Sequence, residues 1–389
     1  MIIREELFSP IVKTQVIDLL KRIDQTKFDI VIIWACRVDY LYRKRNEYLS
    51  IVSELKKYNI DVFRVPIIVL KFPLSNNQIR MLYMQIKYRL GLIIRDNNIK
   101  IIHARGYNAG YIASRICEED SGIKSIFDAR SPYLTELNST YNINTDSKKY
   151  YMWSEIEKYI LRNSTVSVAT TEKFTDYLAR ESKWVKTIPN NAELENRNKI
   201  LTLSKSQFRK SICYVGSIGY GWNDIKIYTK FAKSIIERYS DITFEFYVRV
   251  DSIQIVSKEF EIENIPANRY SVKSVSPDVL HSKIAGCLCG LQIMSKEDER
   301  LGIKTVDYLS AGLPIICNKN AIGATELVDK YGIGVSYDEE ISSKVFEFIE
   351  KRMIGDLDEV IKCLDVAEKH FSTKAIAKVY ENLYIDIMK

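Results

Sequence analysis

Residues 299–316 have the sequence ERLGIKTVDYLSAGLPII, and with the apolar run before them they predict a strand, a loop, a helix, a turn and a second strand. Gly302 allows the backbone to approach a ligand closely, and a helix that begins after it offers free N–H groups and a positive dipole end to a phosphate. Lys304 adds a positive charge in the first turn, and Asp307 follows on the same helix face. A carboxylate at that position suits the paired hydroxyls of a ribose, because it can accept two hydrogen bonds.

The rest of the chain repeats this alternation of short apolar runs and longer amphipathic stretches, which is typical of a mostly parallel sheet covered by helices. In the first half, strands are predicted at 30–34, 61–65, 99–102, 125–127 and 166–169. In the second half, they are predicted at 212–215, 243–248, 288–294, 314–317 and 332–335. Helices are predicted at 12–23, 46–58, 76–95, 224–239, 303–311 and 372–388.

The length of 389 residues exceeds that of one ordinary domain. The run IPNNAELENRNK at 188–199 is polar, contains a proline and shows little apolar periodicity, so it predicts a boundary. We expect an N-terminal domain over 1–190, a linker over 191–209, a second domain over 210–370 and a C-terminal helix over 371–389. That last helix can pack on either domain, including back on the N-terminal one.

Composition excludes several classes of protein. With 46% hydrophobic and 28% charged residues, the chain is globular, and no run approaches the roughly 18–20 apolar residues of a membrane span. The N-terminus MIIREELFSP has no apolar core of a secretory signal, and the seven scattered cysteines do not form a disulfide framework. We therefore expect a cytoplasmic protein.

Charge is unevenly distributed along the chain. Residues 1–190 contain 30 Lys and Arg against 21 Asp and Glu, a net charge of +9, whereas residues 191–389 contain 27 against 29, a net charge of −2. This asymmetry indicates that the first domain faces an anionic membrane surface or a phosphorylated ligand, or that its surface is simply basic. Nucleic acid is not an expected partner, because no run of clustered basic residues with interleaved aromatics is present.

Glycines and charged residues follow the predicted strands at their carboxyl ends, where open α/β sheets bind ligands. In the first half these residues are His103, Arg105, Asp128 and Arg130. In the second half they are Gly216, Ser217, Arg249 and the loop 295–299. We expect them to line the same crevice.

Several of these segments together resemble a known family. The spacing from Glu299 through seven residues to Asp307, followed by YLSAGLPII, resembles the E-x7-E region of retaining GT-B glycosyltransferases of the family-4 type. HARGYNAGYIAS at 103–114 and FDARSPYLTE at 127–136 resemble acceptor-side motifs of that family, and Ser9-Pro10 with Gln15-Val16 resembles its opening helix. YVGSIGYGW at 214–222 resembles its glycine loop, and SPDVLHSKIAGCLCGLQIM at 276–294 resembles its run into the donor site. The resemblance covers roughly residues 9–340.

The resemblance implies an α/β fold of two Rossmann-like domains that face each other across a cleft, and a nucleotide-sugar donor bound by the second domain. Its implied donor-binding residues are Gly216, Ser217, Arg249, Gly302, Ile303, Lys304 and Asp307. Glu299 would contact hydroxyls of the transferred sugar, and His103 would lie beside the anomeric carbon. The implied acceptor-side residues are Arg105, Asp128, Arg130 and Glu136.

Two positions depart from the family pattern. The second acid is Asp307, one methylene shorter than the usual Glu, and the glycine loop lacks the Arg and Lys pair that many members use for the diphosphate. Lys304 then carries more of the phosphate binding, with Arg249 or Lys226 as substitutes. No D-x-D-like acidic pair follows a strand, so no metal and no cofactor are expected. The predicted donor is a UDP-sugar in preference to a GDP-sugar.

Each candidate also has a purely structural interpretation. His103 can be a hydrogen-bonded buried histidine, Asp128 and Arg130 an ion pair at a strand end, and Glu299 a solvated loop acid. Cys287 and Cys289 lie in an apolar run without a second ligand pair at zinc spacing, so they are expected to be buried strand residues.

The favoured hypothesis is an enzyme that moves a sugar from a nucleotide-sugar to a carbohydrate or lipid-linked acceptor, in surface polysaccharide or glycolipid synthesis. The alternatives are a sugar-nucleotide epimerase and a non-catalytic nucleotide-sugar binding protein. The basic first domain, with the amphipathic helix at 76–95, also predicts peripheral contact with the inner face of an anionic membrane.

Overall fold

The chain folds into two compact units. In the computed structural model, which describes residues 1–68, 73–218, 224–338 and 340–389, unit 1 contains Met1–Pro189 and Thr373–Lys389. Unit 2 contains Asn190–Ser372. Each unit is an α/β structure with its own parallel sheet.

Unit 1 is built on a sheet whose strands all run parallel. Its strands are β1 (Ile2–Ile3), β2 (Ile30–Arg37), β3 (Ile60–Ile67), β4 (Ile101–Arg105), β5 (Lys124–Asp128), β6 (Val166–Ala169) and β7 (Val185–Thr187). Among the described residues they pair in the order β3-β2-β1-β4-β5-β6-β7. Successive residues of β2 point to opposite faces: Ile33 and Ala35 enter one core, whereas Ile32 and Trp34 enter the other. The sheet is therefore buried on both faces, as parallel sheets usually are.

Helices cover both faces of this sheet. They are α1 (Pro10–Val12), α2 (Leu19–Arg22), α3 (Tyr40–Arg43), α4 (Arg45–Lys56), α5 (Asn76–Asp96), α6 (Gly106–Glu119), α7 (Tyr133–Ser139), α8 (Lys148–Asn163) and α9 (Glu172–Leu178). The predicted helix at 12–23 is interrupted, because Lys13–Asp18 between α1 and α2 is π-helical.

Unit 2 repeats the plan. Its strands are β8 (Ser211–Val215), β9 (Thr243–Tyr247), β10 (Tyr270–Lys273), β11 (Cys289–Gln292), β12 (Ile315–Asn318) and β13 (Gly334–Tyr337), paired among the described residues in the order β10-β9-β8-β11-β12-β13. Its helices are α10 (Arg197–Ser206), α11 (Ile225–Arg238), α12 (Ile253–Ile262), α13 (Pro277–Ile284), α14 (Ile303–Ser310), α15 (Ile322–Tyr331), α16 (Ser343–Met353) and α17 (Asp358–His370). The last helix, α18 (Thr373–Met388), belongs to unit 1.

Every strand expected from the sequence overlaps a strand of the structure, and the described residues contain three further strands that were not expected, β1, β7 and β10. Two of these, β1 and β7, are two and three residues long, too short to show a period. The segment expected as a linker, 191–209, lies within unit 2 and contains α10. Its Ile200 is buried against Ala285, Val360 and Leu364. This apolar contact packs the otherwise polar stretch against the rest of unit 2.

Strand order locates the ligand-binding edge of each sheet. The order reverses between β1 and β4 in unit 1 and between β8 and β11 in unit 2. Ligands of open α/β sheets bind at the carboxyl ends of the strands beside such a reversal. Across the described part of the chain, no helix combines the length and apolar character that crossing a membrane requires.

Candidate active site

In unit 2, the loop after β8 begins with a glycine that the backbone requires. Gly216 has a φ of +134°, a conformation that other residues rarely adopt. A Cβ atom on Gly216 would lie 3.2 Å from the Tyr214 hydroxyl and 3.7 Å from Cδ of Lys304. The Tyr214 hydroxyl donates a hydrogen bond to the Ser217 carbonyl at 3.0 Å. Gly216 thus lets the loop lie against Lys304; residues 219–222 of the predicted glycine loop lie outside the described residues.

The helix α14 begins at the reversal point with its N-terminus fixed against β11. Gly302 is the residue before the helix, and a Cβ atom there would approach Nε2 of Gln292 to 3.2 Å. In the first turn, Thr305 Oγ1 donates to Oε1 of Gln292 at 2.6 Å. Gly302 and Ile303 are both partly exposed. The first amides of α14 therefore have a fixed position beside the glycine loop, where an anion can accept from them.

Lys304 is a buried cation in this first turn. It is 9% exposed, and its Nζ lies 4.7 Å from the centre of the Tyr214 ring. Burial lowers the pKa of Lys304 to about 7, because desolvation outweighs the attraction of the Asp298 carboxylate, and Arg300 adds to the lowering. Lys304 is therefore only partly charged at neutral pH, and an arriving diphosphate would raise its pKa and bind the ammonium form.

Glu299 lies in the loop between β11 and α14 and is partly exposed. Two backbone hydrogen bonds connect this loop to the segment that follows β12. Asp298 N donates to the Asn320 carbonyl at 2.8 Å, and Ile322 N donates to the Asp298 carbonyl at 3.0 Å. Asp298 also accepts from Nε of Arg300 at 2.7 Å. Glu299 is therefore carried by a fixed loop at the carboxyl edge of the sheet.

The other two predicted donor residues have partners within unit 2. Asp307 Oδ1 is 3.1 Å from Nε2 of His281, a residue of α13 that the sequence analysis did not select. Arg249, after β9, is exposed and forms an ion pair with Asp251 at 3.1 Å. The ribose role of Asp307 and the phosphate role of Arg249 stay predictions.

In unit 1, His103 lies in the interior rather than at the surface. Its ring is 4% exposed and is covered by α18, with ring centres 5.0 Å from Tyr380 and 6.0 Å from Tyr384. Nδ1 of His103 is hydrogen-bonded to the Tyr384 hydroxyl at 2.9 Å. Burial lowers the pKa of His103 despite the nearby Asp128 carboxylate, so the ring is neutral at pH 7. This enclosure favours a buried, hydrogen-bonded histidine, and direct contact with a sugar stays a prediction.

Asp128, at the end of β5, is surrounded by cationic and polar groups. Its Oδ1 is 3.2 Å from Arg130 NH1, and its Oδ2 is 3.6 Å from both Arg105 NH1 and His103 Nε2. Burial alone would raise the pKa of Asp128, but Arg130, together with His103 and Arg105, lowers it below its ordinary value. Asp128 is therefore ionised at neutral pH. We refer to His103, Arg105, Asp128 and Arg130 as the strand-end cluster.

Two further residues complete the cluster. Arg105 Nε donates to Oε2 of Glu5 at 2.6 Å, and Arg130 NH2 donates to Oε1 of Gln15 at 3.0 Å. Arg130 has a φ of +62°, a conformation that costs a residue with a side chain about 1 kcal/mol or more. Such strain persists where surrounding contacts hold the residue in place, and it is frequent at functional sites.

Glu5 could not be selected from the sequence, because β1, which places it at the reversal point, has only two residues. Glu136, the remaining predicted acceptor-side residue, is partly exposed in the first turn of α7. The strand-end cluster therefore brings together three of the four acceptor-side residues with His103.

The cysteines give no indication of a metal site. Cys287 and Cys289 are buried, and Cys287 Sγ accepts from NH2 of Arg209 at 3.1 Å. Within the described ranges, no group of three or more His, Cys, Asp or Glu side chains is arranged to hold a metal ion.

Comparison with known proteins identifies the fold. No protein-family model matches the chain, and no curated protein matches its sequence. Solved structures do match. A glycosyltransferase from Rickettsia africae is 14% identical with a TM-score of 0.68, covering 100% of this chain and 97% of its own. Anabaena HepE in complex with UDP and glucose is 12% identical with a TM-score of 0.66 and 98% coverage of both chains.

Sucrose-phosphate synthase from Thermosynechococcus elongatus also matches, at 14% identity and a TM-score of 0.59, covering 88% of this chain and 93% of its own. The fold is that of the GT-B glycosyltransferases. The α/β fold class predicted from the sequence is thereby confirmed. At such low identities the likeness concerns the fold, and the chemistry has to be argued from the residues of this chain.

Proposed function

We propose that this GT-B protein is a glycosyltransferase that moves a sugar from a nucleotide-sugar donor to a carbohydrate or lipid-linked acceptor. The observation that carries the proposal is the convergence of Gly216, the first turn of α14 and the buried Lys304 at the reversal point of the unit 2 sheet. Amides, a helix dipole and one cation form the arrangement that binds a diphosphate. HepE, which shares the fold, has been solved with UDP.

Each donor group has a proposed partner in unit 2. The amides of Gly302 and Ile303 with Lys304 hold the diphosphate, and Gly216 and Ser217 lie close to it. Glu299 accepts hydrogen bonds from hydroxyls of the transferred sugar. Asp307, held by His281, binds the ribose. Arg249 is a further cation that can reach the nucleotide, because its side chain is exposed at the end of β9.

The proposed reaction proceeds with retention and without a metal, on a UDP-sugar. The bond between the anomeric carbon and the diphosphate oxygen breaks, and the helix amides and Lys304 stabilise the negative charge that the leaving diphosphate develops. The acceptor hydroxyl attacks from the face that the diphosphate leaves, and a diphosphate oxygen takes its proton. The acceptor hydroxyl then forms the new glycosidic bond in the original configuration.

On unit 1 we assign acceptor binding to Arg105, Asp128, Arg130 and Glu136. Asp128 is as enclosed as His103, so it acts from within this group. As a carboxylate, which its lowered pKa secures, it holds Arg105 and Arg130 in place. Because His103 is enclosed, we assign it the task of holding Asp128 in place from behind.

Proton NMR of the reaction products tests the stereochemistry and the metal requirement together. The protein is incubated in EDTA with α-configured UDP-sugars and a panel of simple glycosides and lipid-linked sugars. We expect an α-linked product, recognised from the coupling constant of its anomeric proton, and the same rate after Mg²⁺ is added. A β-linked product would overturn retention, and turnover only with Mg²⁺ would overturn the metal-free mechanism.

We also propose that unit 1 contacts the inner face of an anionic membrane, where a lipid-linked acceptor for surface polysaccharide or glycolipid synthesis would be presented. The outer face of α5 carries Met81, Met84 and Tyr88, of which the last two are 68% and 75% exposed. Arg80 and Arg89 are exposed on the same helix. Apolar side chains flanked by arginines suit an anionic lipid surface.

Vesicle sedimentation tests this contact. We expect the protein to sediment with phosphatidylglycerol-containing vesicles but not with pure phosphatidylcholine, and to be released by high salt because charge attraction is screened. The double variant Met84→Glu/Tyr88→Glu should lose binding. Ile354→Glu, at an 82% exposed position of unit 2, is the matched control. Equal binding by the double variant and the control would exclude α5 as the contact.

A further inference from the structure

The C-terminal helix contributes a hydrogen bond to the strand-end cluster. Tyr384 of α18 is buried, and its hydroxyl lies 2.9 Å from Nδ1 of His103. The other ring nitrogen, Nε2, points towards the Asp128 carboxylate at 3.6 Å. The imidazole therefore stands between a phenol and a carboxylate, with its two nitrogens facing different partners.

These partners determine which nitrogen carries the proton. A neutral imidazole has one N–H donor and one acceptor nitrogen. The nitrogen that faces the ionised Asp128 is stabilised as the donor, so the proton belongs on Nε2. Nδ1 is then the acceptor, and it can only accept from the Tyr384 hydroxyl, which is a donor. The charged groups around the ring are Asp128 of β5 and Arg105 of β4, and burial keeps the ring neutral between them. The N-terminal amine also faces the ring, but burial lowers the pKa of that amine to about 5, so it is uncharged at pH 7.

The tautomer matters because Asp128 holds the rest of the cluster. Arg130, in its strained backbone conformation, is held by Asp128 and Gln15, and Arg105 is held between Asp128 and Glu5. With the proton on Nδ1 instead, a lone pair of Nε2 would face the carboxylate and repel it. The positions of both arginines therefore depend on the state of His103.

We infer that Tyr384 is a positioning residue: its hydroxyl donates to Nδ1 and holds the imidazole of His103 with Nε2–H, the tautomer that Asp128 favours, directed at Asp128. His103 in turn orients Asp128 and the arginines that the proposed function assigns to the acceptor. The effect on turnover rests on that proposed function, whereas the hydrogen bond to His103 does not. The C-terminal helix is then part of the acceptor site, although Tyr384 lies 281 positions from His103 in the sequence.

Long-range ¹H–¹⁵N correlation spectra of the full chain test the tautomer. The chain has three histidines, at positions 103, 281 and 370, so the variant His103→Gln identifies the signals of His103. We expect a protonated Nε2 and an unprotonated Nδ1 at neutral pH. In Tyr384→Phe, which keeps the ring and loses the hydroxyl, the Nδ1 shift should move to that of a nitrogen without a hydrogen bond. A wild-type proton on Nδ1, or an unchanged spectrum in Tyr384→Phe, would overturn the inference.

Turnover provides the second readout. Tyr384→Phe should lower kcat by about two- to tenfold, the range expected for one lost hydrogen bond, while the affinity for UDP stays unchanged. The control is Tyr48→Phe in unit 1, which removes a buried hydroxyl that donates to the Val62 carbonyl at 2.8 Å. It should leave the His103 signals and kcat as in the wild type. Equal effects of both variants would show a packing role and contradict the inference. If the wild type transfers no sugar, the proposed function fails while the tautomer result still stands.

Discussion

Glu299→Ala is expected to lower the rate of sugar transfer by about a hundredfold or more while the protein stays folded and binds UDP. The reason is that Glu299 is proposed to hold hydroxyls of the transferred sugar, so its loss leaves the anomeric carbon misplaced but leaves the diphosphate contacts intact. The loop itself should survive, because it is fixed by the backbone of Asp298 and by its ion pair with Arg300. The measurement is kcat with the donor at saturation, alongside a UDP titration.

The matched control is Glu297→Ala, which removes the same charge from an exposed position of the same loop. It should transfer at the wild-type rate. A rate loss of similar size in both variants would indicate a general charge effect of the loop. An unchanged rate in Glu299→Ala would remove this residue from the site.

The second large expected effect is a pH dependence of UDP binding that arises from the titration of Lys304. The pKa of about 7 in the free protein means that Lys304 is mostly uncharged above neutral pH. A diphosphate binds the ammonium form, so binding above pH 7 must take up a proton. The dissociation constant of UDP should then rise by up to about tenfold for each pH unit between 7 and 9. The ionisation of the terminal phosphate, near pH 6, does not interfere in this range.

Calorimetric titrations of UDP at pH 7, 8 and 9 measure this slope. Lys304→Met should bind weakly at every pH and show no slope, because the titrating cation is gone. Lys296→Met, which removes an exposed lysine of the preceding loop, should keep the wild-type slope. A pH-independent affinity in the wild type would mean that Lys304 does not contact the diphosphate.

Much of the fold could be predicted from the sequence, because long buried strands such as β2 and β9 are continuous apolar or alternating runs with strong periodicity. The central strand β1 could not, since two isoleucines carry no period. Its position is set by pairing of Ile2 with Ile33 and Ala104, on strands distant in the sequence. The two units could be recognised from the sequence more easily than the helix α10. The only fully buried apolar residue of α10 is Ile200, and a single residue cannot show a helical period.

The candidate site could be predicted where a residue directly follows a strand or opens a helix. Gly216, Lys304, Arg105 and Asp128 were selected in this way, and the structure places them at strand ends or in the first turn of α14, because strand ends can be located from periodicity. Their partners could not be found, since they come from distant segments and carry no local pattern. Glu5 is 100 residues from Arg105, and His281 is 26 residues from Asp307.

The burial of His103 could not be predicted from its position near a strand end. A histidine near a strand end suggests a ligand-facing group, but His103 is the third residue of the five-residue β4, on the face that α18 covers. Only the packing of the last helix decides that its ring is enclosed, and nothing near residue 103 indicates where that helix packs.

The most direct test of the central claim is a thermal-shift screen of the full chain against UDP, GDP, ADP, CMP and their common sugar conjugates, with EDTA in every sample. A nucleotide at a hundred times its dissociation constant should stabilise the folded state by about 2.7 kcal/mol, which gives a Tm shift of several degrees at most. We predict that UDP and one UDP-sugar stabilise the wild type, and that Lys304→Met loses most of the shift. A well-folded protein that responds to no nucleotide or nucleotide-sugar would contradict the assignment of unit 2 as a donor site, and with it the proposed glycosyl transfer.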